Sequence, residues 1–87
     1  MPDEKKPRNS IGWAVLRMRQ GKRVCRRGWN GKKQWIALRQ PGDDPIITEP
    51  YVYMKTAQGG LIPWLCSQGD LLATDWEEAA QPRRKAK

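Results

Sequence analysis

The spacing of apolar residues near the start of the chain predicts one amphipathic helix. Ser10 is suited to cap its N-terminus, because a short polar side chain can accept a hydrogen bond from a free N–H group. Gly21 is suited to end it, since glycine tolerates the positive φ of a helix terminus. Between them, apolar side chains three and four positions apart share one face of about three turns. That face consists of Ile11, Ala14, Val15 and Met18.

Four later segments carry the short apolar runs that are typical of strands. Asn30 and Gly31 form a turn signal between the first two, because both residue types tolerate positive φ. Pro63 limits the last segment to a strand end or a sheet edge, since proline cannot donate to a β-ladder. The four segments are residues 22–29, 34–39, 51–57 and 61–65.

The third of these segments is predicted to present two different faces. Alternation places Tyr51, Tyr53 and Lys55 on one side of the strand and Val52, Met54 and Thr56 on the other. Taken with the helix, this pattern predicts an α+β fold, in which one amphipathic helix packs on a small, twisted, mainly antiparallel sheet.

A short helical turn is predicted near the C-terminus. Ser67 and Asp70 have the spacing of a capping box and precede the apolar run Leu-Leu-Ala. In such a box, the Ser67 side chain caps the turn and the Asp70 side chain reaches back to the Ser67 backbone.

The positive charge is concentrated at the C-terminal end. The chain of 87 residues has a net charge of +8, and half of that surplus lies in residues 79–87. Residues 1–9 and 79–87 are polar and are predicted to be disordered tails. Residues 10–78 then form a single folded domain. For the basic tail, a solubilising extension is favoured over a nucleic-acid contact, because basic tails are weakly specific.

The composition argues against a metal site, a disulfide bond and a membrane-spanning segment. The chain has no His, and its two cysteines, Cys25 and Cys66, stand 41 positions apart. We therefore expect two reduced thiols, no metal site and no cofactor. The sequence also has no apolar run long enough to cross a bilayer and no secretory signal, so a cytoplasmic location and no membrane partner are predicted.

No set of catalytic residues is recognisable. A general base would have to be a carboxylate, and Asp70 is the one in a plausible pocket. Its nearest nucleophile, Ser67, lacks the base and the orienting group that activation requires. Binding without catalysis is the expected activity.

Two motifs resemble a known family. The segment GKRVCRRGWNGKKQWIAL and the later segment PYVYMKTAQGGLIPWLCSQGDLLATDWEE keep the order and spacing seen in type 2 Thoeris anti-defence proteins, which were formerly grouped as a domain of unknown function. The resemblance covers residues 11–78. It implies a non-enzymatic phage protein that assembles as a homotetramer and acts in the cytoplasm of the infected bacterium.

The resemblance also implies a ligand. Such proteins bind and sequester glycocyclic ADP-ribose signals made by TIR-domain proteins, and some members also take up cyclic oligonucleotides of CBASS defence systems. A ligand of this kind needs ring faces for its bases, cations for its phosphates and polar side chains for its hydroxyls. The residues expected to supply them are Arg26, Arg27, Trp29, Asn30, Tyr51, Lys55, Thr56, Trp64, Ser67, Gln68 and Asp70.

Several of these residues also have a structural interpretation. Trp35 and Trp76 stand among apolar residues and are predicted to be core, whereas Trp29 beside a turn favours a functional role. Asp75 is expected to cap or pair locally. A small nucleic-acid-binding module is the alternative function, because basic and aromatic residues would serve it equally well. A hydrolase of the signal is a third and less favoured class.

Overall fold

The computed structural model describes residues 9–29, 33–42 and 46–80 and shows a helix packed on an antiparallel sheet. The α+β fold class is therefore confirmed. Within these residues the sheet has five strands in the order β4-β3-β2-β1-β5. The elements in chain order are α1 (Ile11–Arg19), β1 (Val24–Arg26), β2 (Trp35–Arg39), β3 (Tyr51–Lys55), β4 (Leu61–Pro63), α2 (Gln68–Leu71) and β5 (Trp76–Glu78).

Both predicted boundaries of α1 are confirmed. The Ser10 side chain accepts from the backbone N–H of Trp13 at 3.1 Å, and Gly21 has a φ of +88° just beyond the C-cap. Ala14 and Met18 are buried against the sheet, but Val15 is exposed. Val15 was wrongly assigned to the apolar face, because it lies about 100° around the helix from Ala14 and the sheet covers a narrow stripe.

The strand register divides the sheet into two faces. Val24 pairs with Ile36, and Ile36 pairs with Met54. These three side chains lie on the sheet face that α1 covers, where Val24 and Ile36 belong to the core and Met54 packs against it. Trp35 pairs with Lys55 on the opposite face, where Tyr53 also points. The predicted alternation of β3 is confirmed.

The two tryptophans predicted to be core have different environments. Trp76 is fully buried in a cluster with Ala14, Met18, Val24 and Ile36, so the prediction is confirmed for it. Trp35 is half-buried on the face away from α1, and the prediction was wrong. Residue 35 precedes Ile36 in the same strand, and neighbouring strand residues must point to opposite faces.

The strands at the sheet edges account for two further features. β4 is one edge strand and ends at Pro63, as predicted. β5 is the other edge and pairs with β1, from Val24 opposite Glu78 to Arg26 opposite Trp76. β5 was not predicted, because three residues with two glutamates give no strand pattern.

Two sequence predictions lie wholly or partly outside the described part of the chain. They concern the two predicted tails and the turn at Asn30 and Gly31. Among the described residues, no helix combines the length and apolarity needed to cross a membrane.

Candidate ligand-binding site

Arg26 links two acidic residues that are distant in sequence. Its side chain leaves the end of β1 and donates from Nε to Asp75 Oδ1 at 2.7 Å and from Nη1 to Asp70 Oδ1 at 2.8 Å. All three side chains are largely buried, with 24%, 28% and 14% of the Arg26, Asp75 and Asp70 side chains exposed. Charge-assisted bonds of this length are stronger than neutral ones, so the guanidinium connects α2 to the segment before β5.

Asp70 organises both of its tryptophan neighbours. Its Oδ1 also accepts from Trp29 Nε1 at 3.0 Å, and its backbone carbonyl accepts from Trp76 Nε1 at 3.1 Å. One residue therefore supplies the hydrogen-bond acceptors for both indole N–H groups, which a buried Trp side chain usually needs.

The capping box is half confirmed. Ser67 caps α2, because its Oγ accepts from the Asp70 N–H at 3.1 Å. The Asp70 carboxylate was wrongly expected at the Ser67 backbone, since it turns to Arg26 and Trp29 instead. A full positive charge attracts a carboxylate more strongly than a backbone amide does.

Asp75 holds the segment that follows β1. Its Oδ2 accepts from the Gly28 N–H at 2.8 Å, and its backbone carbonyl accepts from the Arg27 N–H at 3.0 Å. A Cβ atom on Gly28 would stand 2.9 Å from Asp75 Oδ2, so this close approach needs a glycine. The expectation of a local partner for Asp75 was wrong, because these partners lie in and just after β1, 47 to 49 positions earlier in the chain.

The ionic cluster lowers the pKa values of its two carboxylates. The hydrogen bond from Arg26 lowers the pKa of Asp75, and a second one from the Gly28 amide adds to it. Burial alone would raise the pKa of Asp70, but hydrogen bonds from Trp29 and Arg26 outweigh it and lower the pKa. Both carboxylates therefore stay ionised at neutral pH and keep Arg26 between them.

Three tryptophans pack above this cluster. Trp29 and Trp64 each meet the buried Trp76 edge to face, with ring centroids 5.5 and 6.1 Å apart. Trp29 and Trp64 are tilted by 58° to each other at 6.5 Å. Because Trp29 and Trp64 are only half-buried, parts of both rings reach the surface. We call the Trp29–Trp64 pair the aromatic wedge.

The fold brings six of the predicted site residues together and separates the others. Tyr51 and Lys55 lie on the sheet face away from α1, and Thr56 belongs to the β3–β4 turn, where its Oγ1 accepts from the Gly60 N–H at 3.0 Å. Arg27 is exposed, 3.6 Å from Glu77, and Asn30 lies outside the described residues. The six residues of the wedge corner are Arg26, Trp29, Trp64, Ser67, Gln68 and Asp70.

Gly28 and Asp75 were not among the predicted site residues, although both support this corner. The DW pair at residues 75–76 was visible in the sequence, but nothing local indicates a partner 47 positions away. Among the described residues, no group of His, Cys, Asp and Glu is placed to hold a metal ion. Cys25 and Cys66 are free thiols, and burial raises the pKa of both.

The fold and the corner define a small α+β domain that carries half-buried indole rings over an ionic cluster. Residues 9–79 match the Thoeris anti-defense 2-like domain, and the chain belongs to that family. It is similar to a protein of Bacillus phage SP01 described as Thoeris anti-defense 2. The two are 34% identical over 85 aligned positions, which cover 83% of this chain and 96% of the relative. Family membership supports a role in phage anti-defence.

Proposed function

We propose that the protein binds and sequesters a cyclic nucleotide-derived immune signal without chemically changing it. The ligand class is a glycocyclic ADP-ribose, with CBASS cyclic oligonucleotides as a second class. Membership in an anti-defence family supports this proposal, because removal of a diffusible signal is one way to counteract a defence system.

The observation that carries the proposal is the aromatic wedge. A base can stack on an indole face, which contributes about 1–3 kcal/mol per base. The bond from Trp29 to Asp70 fixes the orientation of that ring before any ligand arrives. A ring that is already fixed loses little conformational entropy on binding, which favours the tight binding that sequestration requires.

The polar side chains of the same corner suit the rest of such a ligand. Ser67 and Gln68 are exposed at the start of α2, where a hydroxyl and an amide can bind ribose hydroxyls or base edges. The charge of Arg26 is already balanced by Asp70 and Asp75, so Arg26 positions the wedge and does not itself offer a free cation. Arg27, which is exposed and 3.6 Å from Glu77, is the cation of this segment that a ligand phosphate can reach. We place the ligand at this corner rather than at Tyr51, Lys55 or Thr56.

The engagement of Asp70 supports binding without catalysis. A general base must be free to take a proton, but the Asp70 carboxylate accepts from Arg26 and Trp29 and has a lowered pKa. The Ser67 hydroxyl oxygen caps α2. The Ser67 hydroxyl also hydrogen-bonds to the Asp70 carboxylate, but a carboxylate with a lowered pKa is a weak base for activating a hydroxyl.

We also propose that the chain functions as a homo-oligomer, with a tetramer as the expected form. Its core is small, and Leu61, Leu65 and Leu72 leave 63%, 90% and 74% of their surface exposed. Exposed leucines at several points of one small domain are typical of subunit interfaces.

Mass spectrometry tests the function directly. The full chain is mixed with a lysate that contains TIR-derived signals, repurified and heated, and the released small molecules are analysed. Recovery of an intact cyclic nucleotide supports sequestration. A linear product indicates an enzyme instead, and recovery of no nucleotide contradicts the proposal.

A further inference from the structure

The sheet face away from α1 combines basic and aromatic side chains, and the proposed signal site does not use it. The strand register places Trp35, Tyr53 and Tyr51 there, with Lys55 beside Trp35 and Arg39 beside Tyr51. Arg23 lies with its guanidinium 4.3 Å from the centre of the Trp35 ring. We call this surface the basic face; its residues are Arg23, Lys33, Trp35, Arg39, Tyr51, Tyr53 and Lys55.

Two neighbouring grooves run over the basic face. One has a volume of about 450 Å³ and is lined in part by Arg23, Lys33 and Lys55 around Trp35. The other has a volume of about 280 Å³ and lies between Arg39, the two tyrosines and β4. Trp35 and Tyr53, whose centroids are 5.8 Å apart, separate the grooves. Five strands give the face a width of about 19 Å, which is room for more than one nucleotide.

The charge on this face favours an anionic occupant. The described acidic residues at the large groove are Glu77 and Glu78, and each already has an arginine from outside the basic face. Arg27 lies 3.6 Å from Glu77, and Arg17 lies 2.9 Å from Glu78. The face therefore keeps a positive surplus, which would repel the same face of a second copy.

We propose that the basic face binds single-stranded nucleic acid. Rings on the central strands of a sheet can stack against successive bases, and flanking cations can follow the phosphates. The stacked Arg23–Trp35 pair adds a flat cation, which can itself stack on a base. A duplex would bury its bases away from these rings, so the unpaired form is the preferred ligand.

Fluorescence anisotropy with a labelled oligothymidine of about twelve residues tests the proposal on the full chain. Arg39→Gln combined with Lys33→Gln should weaken binding about tenfold and reduce the slope of log affinity against log salt by about 1.4, because two phosphate contacts are lost. The matched control is Arg19→Gln combined with Lys22→Gln, which removes two exposed charges outside the basic face. It should change affinity less than twofold.

A second pair of variants separates stacking from charge. Tyr53→Leu should weaken binding roughly fivefold or more, whereas Tyr53→Phe should keep it, because the ring and not the hydroxyl stacks. Thermal melts check that each variant is folded. The proposal is overturned if the two charge variants weaken binding equally, if Tyr53→Leu binds normally, or if an acidic peptide competes as well as the oligonucleotide. Failure of signal binding at the aromatic wedge would leave these results unchanged.

Discussion

The indole N–H of Trp29 donates to the carboxylate of Asp70 at 3.0 Å, although the two residues are 41 positions apart in the chain. This bond joins the segment after β1 to the turn of α2. Arg26 completes the connection, because it binds the same Asp70 oxygen and also Asp75. The aromatic wedge is thus supported by an ionic cluster beneath it.

Replacement of Arg26 should destabilise the domain. Arg26→Gln leaves two largely buried carboxylates without their shared cation, and we expect a loss of about 2 kcal/mol in the free energy of unfolding. Arg26→Lys should recover part of this, since an ammonium supplies charge without the two-pronged geometry. Urea unfolding followed by circular dichroism measures both. Arg27→Gln is the control, because that side chain is exposed and 3.6 Å from its partner; an equal loss there would contradict the role of Arg26.

The same cluster should make stability depend on acid pH. Because the pKa values of Asp70 and Asp75 are lowered in the folded state, their contribution is fully present above about pH 5. This contribution is lost as the pH falls below about 4, because the carboxylates of the unfolded chain then take up protons before those of the folded protein do. The loss is complete when the pH is below the folded-state pKa values as well. Unfolding free energies measured across this range should fall less steeply in Arg26→Gln than in the wild type. Identical slopes would show that Arg26 does not lower these pKa values.

Gly28 should not tolerate a side chain. In Gly28→Ala, the new methyl group would stand 2.9 Å from Asp75 Oδ2, and Arg26 holds that carboxylate in place. We expect a loss of about 1–2 kcal/mol, which includes the weakened bond to the Gly28 N–H. Gly42→Ala is the matched control, because a Cβ atom there would meet no atom of the described residues within 4 Å, and it should change stability by less than about 0.5 kcal/mol. Thermal melts with similar shifts in both variants would contradict the close contact.

Trp64 should contribute to signal affinity through its ring. Trp64→Leu is expected to weaken binding by about 1–3 kcal/mol, or roughly 5-fold to 150-fold, whereas Trp64→Phe should lose less. Calorimetric titration with glycocyclic ADP-ribose gives the affinities, at a temperature where melts show every variant folded. Trp13→Leu is the control, because Trp13 is a half-buried tryptophan on α1 and the ring contacts of Trp29 and Trp64 in the described part of the chain do not include it. Unchanged affinity in Trp64→Leu would place the ligand elsewhere.

Assembly can be measured independently of ligand binding. Light scattering at micromolar concentration should show a particle about four times the 10.0 kDa mass of one chain. If the exposed leucines form the interface, Leu65→Ser with Leu72→Ser should lower that mass and leave the fold intact, because neither side chain belongs to the core. A wild-type monomer at this concentration would rule out the proposed oligomer.

Local patterns predicted the elements whose cause is local. The Ser10 hydroxyl caps the start of α1, and Gly21 with its positive φ follows the end of that helix. Ser67 caps α2 in the same way, and each of these residues acts on backbone only a few positions away. The alternation in β3 likewise reports which side chains share a face, because the period of a strand is two residues. β5 was missed, since its strand character comes from pairing with β1 and not from its own composition.

The sequence by itself determined the class of fold, the limits of α1, the edge position of Pro63 and the family, because each depends on residue types at short or ordered spacing. The tertiary structure decided which polar groups meet. Asp70 could have closed a local capping box, but folding brings Arg26 and Trp29 to it from more than 40 positions away, and a charged donor wins that competition. The different environments of Trp35 and Trp76 were decided in the same way, since only the assembled sheet and helix define which face is covered.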